Sequence, residues 1–537
     1  MRYFDHHIAT PLLALTLLLA SGCHGDVSTR EPATESTSST MVTLRTSVIG
    51  SMTPRAVSET EAAPLAGSGE GEVHVFNLWL AKEGWMQATP DKTNAPIYQA
   101  TFKVNGVQKP SEERDYTILL NGHKLSLNTL SRSEQTIIGL DQISLLMDEN
   151  GFTMTGDVNL SAVIMPDVET PARQGDNVFP KDKALPVERV VSKAQLYKKS
   201  GFAVTGVPGT IASSSLRWAV AGSGKQVYLY RNNAGERTMG VDGLYNGLIT
   251  ASNASKESGL MKLSDVIKNP DDKGNFAWKK LLETQSGPKS VAGGIYFYEH
   301  ALEETEGQSK PYPRTIGYDK VTYAKVYGDL GKISKGKKIK DGATPTGGAY
   351  TPADLTTTTA GDFSGERKYD VTVTKEWYDK MKPKLGNQLT EVNGVNTLHM
   401  VDKPGTFYVG FNGTIYNTLL AAMADGNKSA RKYTGGRMVY LTPLNAQGEQ
   451  GKIYNCDTRR NNIYDLEIQG VNGLGYNYDP VDPKDPYIPK PNDNPLEPDP
   501  DPEIPPINDT EITIKVRAKV LNWNYIHQSY DLLGETK

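Results

Sequence analysis

The sequence predicts an all-β protein built from β-sandwiches, and three features carry that expectation. Short segments alternate apolar and polar residues with a period of two, the pattern of half-buried strands. Gly and Asn separate these segments at turn spacing, and a proline-rich stretch between Pro166 and Pro186 divides them into two groups.

The chain begins with an address. Arg2 supplies a sparse positive start, Ile8 to Ala20 an apolar run interrupted by Thr10, Pro11 and Thr16, and Ala20-Ser21-Gly22 a small-residue approach to Cys23. This is the pattern of a lipoprotein signal over residues 1–22, after which Cys23 is lipidated and becomes the mature N-terminus. An ordinary signal peptide with a chance cysteine is the alternative. The site departs from the usual lipobox in having Ala20 three places before the cysteine and Leu19 one further back. The apolar run is too short for a stable transmembrane helix and no later run reaches spanning length, so attachment is expected through the lipid.

Composition narrows the function classes. The chain has 537 residues and a formal net charge of -4. That length allows two or three domains with proper cores, and the charge lacks the basic excess of a nucleic-acid binder. With only Cys23 and Cys456 present, modification of Cys23 leaves no intrachain disulfide, so packing alone must hold the fold. Cys456 has no helix start or nearby histidine to activate it and reads as a solitary thiol near a turn.

From His24 to Thr40 the composition is that of a tether. Met41 to Ile49 is strand-like, with Val42, Leu44 and Val48 on one side and Thr43, Arg45 and Ser47 on the other. After Gly50 a loose stretch contains Thr53-Pro54-Arg55-Ala56 and runs to Gly71. An arginine in such an exposed, extended segment is an easy target for a trypsin-like protease, although local sequence alone also fits a solvated side chain.

Strands follow throughout the body. Val73 to Leu80 is strong, Tyr116 to Leu119 and His123 to Leu127 flank Asn121-Gly122 as a hairpin, and Phe152 to Met154 follows a turn. Leu130 to Met147 reads as one helical segment. From Pro186 the chain restarts with Val187 to Leu196, and further strands are expected at 202–204, 216–220, 227–230, 295–299, 321–327, 369–373, 406–411, 438–441 and 463–468. Gly331 to Arg367, rich in Lys, Gly and Thr, reads as an exposed loop region. Asp479 to Pro506 is so rich in proline and acidic residues that it is expected to be an extended, semi-rigid spacer. Beyond it, Ile512, Ile514, Val516, Ala518 and Val520 alternate with Thr513, Lys515, Arg517 and Lys519 in a strand without an obvious partner. Leu521 and Trp523 fall on the opposite parity, which predicts a bulge or twist between Val520 and Leu521.

Chemistry is sparse. Gly222-Ser223-Gly224-Lys225 lacks the first glycine and closing hydroxyl of a phosphate loop, the histidines lack metal-ligand spacing, and no nucleophile elbow occurs. Asp499, Asp501 and Glu503 lie among prolines without a calcium-loop glycine. No catalytic residue, metal or cofactor is expected.

The lipoprotein signal, the early strand followed by an arginine, Leu216-Arg217-Trp218-Ala219-Val220, Arg459-Arg460-Asn461-Asn462-Ile463-Tyr464, the Pro/Asp spacer and Val520-Leu521-Asn522-Trp523 together resemble the fimbrillin family of type V pili. More narrowly they are similar to its minor fimbrium (Mfa-type) shaft subunits. The resemblance implies two transthyretin-like β-sandwich domains, with a removable N-terminal strand and a C-terminal donor strand on a proline-rich arm. It implies a lipidated propeptide at 23–55, sandwiches at 56–185 and 186–478, a linker at 479–510 and a donor segment at 511–537. An arginine-specific protease would cut at Arg55, with Arg45 as the alternative, and remove Val42, Leu44 and Val48 with their strand. The groove so opened would accept Ile512, Ile514, Val516, Ala518, Val520 and Trp523 of another subunit.

The implied partners are identical subunits in a head-to-tail polymer, accessory anchor and tip subunits, the protease, and outer-membrane lipid through the precursor's anchor. Adhesion and biofilm formation are the implied roles. A fimbrial tip subunit and a monomeric surface lipoprotein, an adhesin or glycan-binding module whose last strand folds back into its own sandwich, remain alternatives.

Overall fold

A strand near the start of the chain, Thr37–Val48, lies in the middle of a nine-stranded sheet system rather than at its margin. The computed structural model describes residues 37–48, 73–94, 97–133, 136–148, 151–169, 177–181, 183–206, 209–211, 216–224, 226–230, 260–261, 279–280, 282–283, 295–300, 317–318, 321–333, 335–445, 458, 460–481, 485, 487–489, 495–496, 513–522 and 530–531. The fold is all-β, as the alternation predicts. In the first sheet system the order runs Val178–Phe179, Thr37–Val48, Leu185–Arg189, Met154–Thr155, Glu112–Leu120, Phe76–Leu80 and Gly84–Ala88. Ile97–Gln108 pairs with Thr37–Val48, and Leu160–Ile164 with Glu112–Leu120. Their inward residues, among them Phe76, Leu78, Phe102, Val104, Ile118 and Ile164, form one core, with Phe76 and Phe102 edge to face at 5.9 Å.

Two further sheets enclose a second core. One runs Leu282–Glu283, Ser192–Thr205, Asn462–Asn472, Thr513–Asn522 and Tyr530–Asp531. The other holds Gly209–Ile211, Tyr323–Ile333 and Arg217–Ala221, with Arg437–Pro443 on the far side of Tyr323–Ile333. Leu196, Leu466 and Ile468 from one sheet meet Trp218, Val326 and Tyr440 from the other, all at most 4% exposed. Gly222 marks a close approach in this region. Its φ is +70°, and a Cβ there would sit 2.1 Å from the Val321 carbonyl oxygen, so packing accounts for a glycine at this position of the failed phosphate-loop pattern.

Several local expectations are corrected. Gly331 to Arg367 is structured: Lys337–Ile339 pairs with Leu355–Thr357, and the carboxylates of Asp354 and Asp362 accept from the backbone N–H of Thr351 and Thr359, closing two short helical turns. This stretch opens a smaller unit built on Val371, Met381, Leu398, Tyr408, Tyr416 and Leu419. The lysines and glycines hid it, because its strands are short and only half buried on one face. Leu130 to Met147 divides into a short strand, Ile137–Gly139, and a 3-10 segment, Leu140–Leu145. Asn121 does not close a hairpin. With φ +52° its side chain accepts from the N–H of His74 and Val75 and donates to the Phe152 carbonyl, so it staples three segments. The run from Val187 to Leu196 breaks at Val190 and Val191, which are fully buried in a junction core with Leu119, Phe152, Tyr230, Tyr298 and Ile463.

Candidate assembly site

The leading strand Thr37–Val48 is hydrogen-bonded along both edges. Ile97–Gln108 runs antiparallel to it, with Val42 opposite Phe102 and Leu44 opposite Ala100. On its other edge, Thr43 and Leu44 pair in parallel with Val178 and Phe179, and Thr46 to Val48 with Leu185 to Val187. Val42, Leu44 and Val48 are 2%, 1% and 0% exposed and belong to the first core. Burying them stabilises the docked strand by about 1.5–3 kcal/mol each in gross transfer terms. The polar residues of the strand are also engaged. Thr40 Oγ1 donates to the Met165 carbonyl at 2.8 Å and accepts from Asn177 Nδ2 at 2.9 Å, and Thr43 Oγ1 meets Thr101 Oγ1 at 2.9 Å. Withdrawing such a strand leaves two unpaired edges and an apolar slot between them.

Arg45 sits in mid-strand opposite Gln99, half-buried. A protease must lift several residues of extended chain into its cleft, and here their backbone groups are committed to sheet bonds. Cys23, Arg55, Ile512 and Trp523 lie outside the described residues, as does Cys456.

At the other end of the molecule, Thr513–Asn522 has a partner that the sequence did not reveal. It runs antiparallel to Asn462–Asn472, which is itself paired in parallel with Ser192–Thr205. Ile514, Val516, Ala518 and Val520 stand in register with Val471, Ile468, Leu466 and Tyr464, which are buried in the second core. Only the two-residue strand Tyr530–Asp531 pairs with its far edge among the described residues. The expected bulge between Val520 and Leu521 is absent: Tyr464 and Ile463 pair with them in continuous register, and the irregularity falls in the partner strand between Ile468 and Gly470. Parity changes for a different reason. Tyr464 is buried on one face of the sheet and Ile463 on the other, so both faces are covered at this end and both parities are apolar.

The stretch read as spacer begins inside the fold. Asp479 is buried against Lys325 Nζ, and the Val481 side chain is packed among Ala219, Tyr323, Val439 and Leu441. The carboxylate of Asp485 accepts from the Asp479 N–H at 2.7 Å and lies 3.5 Å from the Arg437 guanidinium. Further on, the Leu496 carbonyl accepts from the Ala430 N–H at 2.9 Å. Acidic side chains normally mark solvated chain. Two here are 1% and 6% exposed because they find cations and amide donors in the second sandwich and its edge.

The two strand sites are physically linked. Leu185–Arg189, which borders the leading strand, ends in Glu188 and Arg189. Arg189 Nη1 donates to Asn461 Oδ1 at 2.9 Å, and Arg460 Nε lies 3.8 Å from Glu188 Oε1. Asn461, at φ +60°, donates its N–H to the Val191 carbonyl and introduces the strand that holds Thr513–Asn522. The Arg459 to Tyr464 segment is therefore a junction between the two sites.

Residues 431–529, which span the terminal strand and the strand that holds it, match the family described as Major fimbrial subunit protein type IV, Fimbrillin, C-terminal. In this region the chain is similar to the fimbrillins, the family that the residues quoted above resemble. Similar solved structures include a fimbrilin (fimA) from Porphyromonas gingivalis W83, 14% identical, covering 91% of this chain and 99% of that one at a TM-score of 0.37. A protein of Parabacteroides distasonis ATCC 8503 named for cell adhesion is 12% identical, covering 91% and 98% at 0.37. The tip fimbrial protein Mfa3 from Porphyromonas gingivalis, with C-terminal truncation, is 11% identical, covering 81% and 95% at 0.29. No curated protein matches the chain.

Proposed function

We propose that this chain is a structural subunit of a cell-surface fimbrial shaft that supports adhesion and polymerises by protease-triggered strand exchange. In this reading the precursor is exported through the periplasm, held at the outer membrane by lipidated Cys23, and cut by an arginine-specific protease at Arg55. The observation that carries the proposal is the central position of Thr37–Val48, bonded on both edges and buried in the core. Its loss creates a slot of strand width with an apolar floor.

The terminal strand of a neighbouring subunit has the alternation to fill that slot, through Ile512, Ile514, Val516, Ala518, Val520 and Trp523. The direction of exchange follows from edges. At home this strand lies beside one long strand and one of two residues, whereas the slot offers partners along both sides. Each additional backbone hydrogen bond contributes about 0.5–1.5 kcal/mol net, and ordering the arm opposes it by roughly 1–2 kcal/mol per residue. A pre-ordered strand meets less of that cost. Head-to-tail contacts of this kind need not close on themselves and so extend into a filament, capped or anchored by accessory subunits.

A specific observation favours a second reading. The terminal strand pairs within its own sheet, as it would in a monomeric surface lipoprotein with an adhesive or glycan-binding role. Treating the purified precursor with trypsin and running unboiled, non-reducing gels separates the two. The shaft reading expects a ladder of multimers from the full chain and none from a chain lacking residues 511–537. Persistent monomer after cleavage at Arg55 supports the second reading.

A further inference from the structure

We infer that Lys325 and Asp479 form an intramolecular amide, a covalent cross-link that fastens the root of the terminal arm to the second sandwich. The two side chains are 1% and 0% exposed, and Lys325 Nζ lies against Asp479 Oδ2 although 154 residues separate them in sequence. Lys325 is the third residue of Tyr323–Ile333, between Ala219 and Leu441 on the neighbouring strands. Both neighbours belong to the apolar cluster that also contains Tyr323 and Val481, with Tyr327 packed against it. A lysine and a carboxylate are thus pressed together in surroundings with little capacity to solvate charge.

That environment disfavours the ionic form and favours passage of one proton from the ammonium to the carboxylate, leaving an amine facing a carboxylic acid. The Nζ lone pair then attacks Cγ. Negative charge gathers on Oδ1, which already accepts the Val481 N–H at 3.0 Å, the placement an oxyanion donor requires. The Cγ–Oδ2 bond breaks, Oδ2 departs with its own proton and one from nitrogen, and the products are an amide and one water. No oxidant, metal or cofactor enters this balance. The cross-link secures the arm six residues before Asp485, so tension applied to the terminal strand meets a covalent tie before it reaches the sandwich core.

The bond is independent of the strand-exchange reading, and its test does not depend on polymer formation. Purified full-length protein is denatured, digested with trypsin and analysed by tandem mass spectrometry. The expected product joins peptide 321–332, uncut at Lys325, to peptide 461–484, at the summed mass less one water. Finding both regions as linear peptides at full mass, with cleavage after Lys325, overturns the inference. A Lys325→Arg variant is expected to lose the joined product and to melt at lower temperature; if it fails to fold, the wild-type digest alone decides.

Discussion

Arg460 holds Glu299 through two side-chain hydrogen bonds to Oε1, from Nε at 2.7 Å and from Nη2 at 2.5 Å, while its own backbone N–H donates to Oε2 at 3.1 Å. Both side chains are 2% exposed, with Glu188 close by. Replacing Arg460 with Met leaves two carboxylates without their cation in a dry junction. The expected cost is about 3–5 kcal/mol, measured by urea denaturation. A change below about 1 kcal/mol, the range of exposed pairs, would contradict this assignment.

Leu44→Ala is expected to destabilise the leading strand by about 2–5 kcal/mol, because the methyl groups it removes are fully buried. Ser39 is exposed in the same strand, and Ser39→Ala should stay within about 0.5 kcal/mol. Hydrogen exchange reports the difference locally: amides of Ile97–Gln108 should exchange faster in the first variant and normally in the second.

Cleavage should respect the sheet. Arg45→Ala is expected to leave trypsin processing of the folded precursor unchanged, since residue 45 is held between paired strands. Arg55→Ala should abolish the release of the strand. N-terminal sequencing of the product that begins at residue 46 in either case would reverse the assignment.

Acid should loosen the first sandwich. Burial pushes the Glu112 carboxyl upward, but hydrogen bonds from Arg114, Lys82 and the Gln108 N–H and the charge of Arg114 outweigh it, lowering its pKa from 4.5 to about 2. A carboxylate depressed in the folded state contributes stability that is complete above the unfolded value and is lost as pH falls toward 2. Melting curves between pH 5 and pH 2 should show a smaller decline for Glu112→Gln than for the wild-type chain, because the variant has already lost the charge. Equal slopes would show that Glu112 does not contribute.

Much of the strand chemistry was legible in the residues. The alternation of Val42, Leu44 and Val48 with Thr43, Arg45 and Ser47 identified a strand and its apolar inward face, but not that the other face is covered too, where Thr43 and Ser47 are 6% and 3% exposed. The parity of Ile514, Val516, Ala518 and Val520 identified another. The polar contacts were not legible. Lys325 and Asp479 are 154 residues apart, and Arg460 and Glu299 are 161 apart, so no local pattern relates them. Asp479 was assigned to a solvated spacer because the prolines and acids around it resemble linker composition, and composition says nothing about one carboxylate meeting a buried amine.

Side-chain period depends only on neighbours along the chain, so the sequence by itself determined the longer alternating strands and which apolar residues of Thr37–Val48 face a core, but not the short strands within Gly331 to Arg367. It also determined that the chain is mainly β, although the helices Lys375–Leu385 and Leu419–Ala424 were not foreseen. Which strand lies beside which was decided only in three dimensions, where the leading strand took a central position and Thr513–Asn522 settled against Asn462–Asn472. The physical reason is that ladder bonds join backbone groups common to nearly every residue, so partners are selected by shape, register and shared burial across distant parts of the chain.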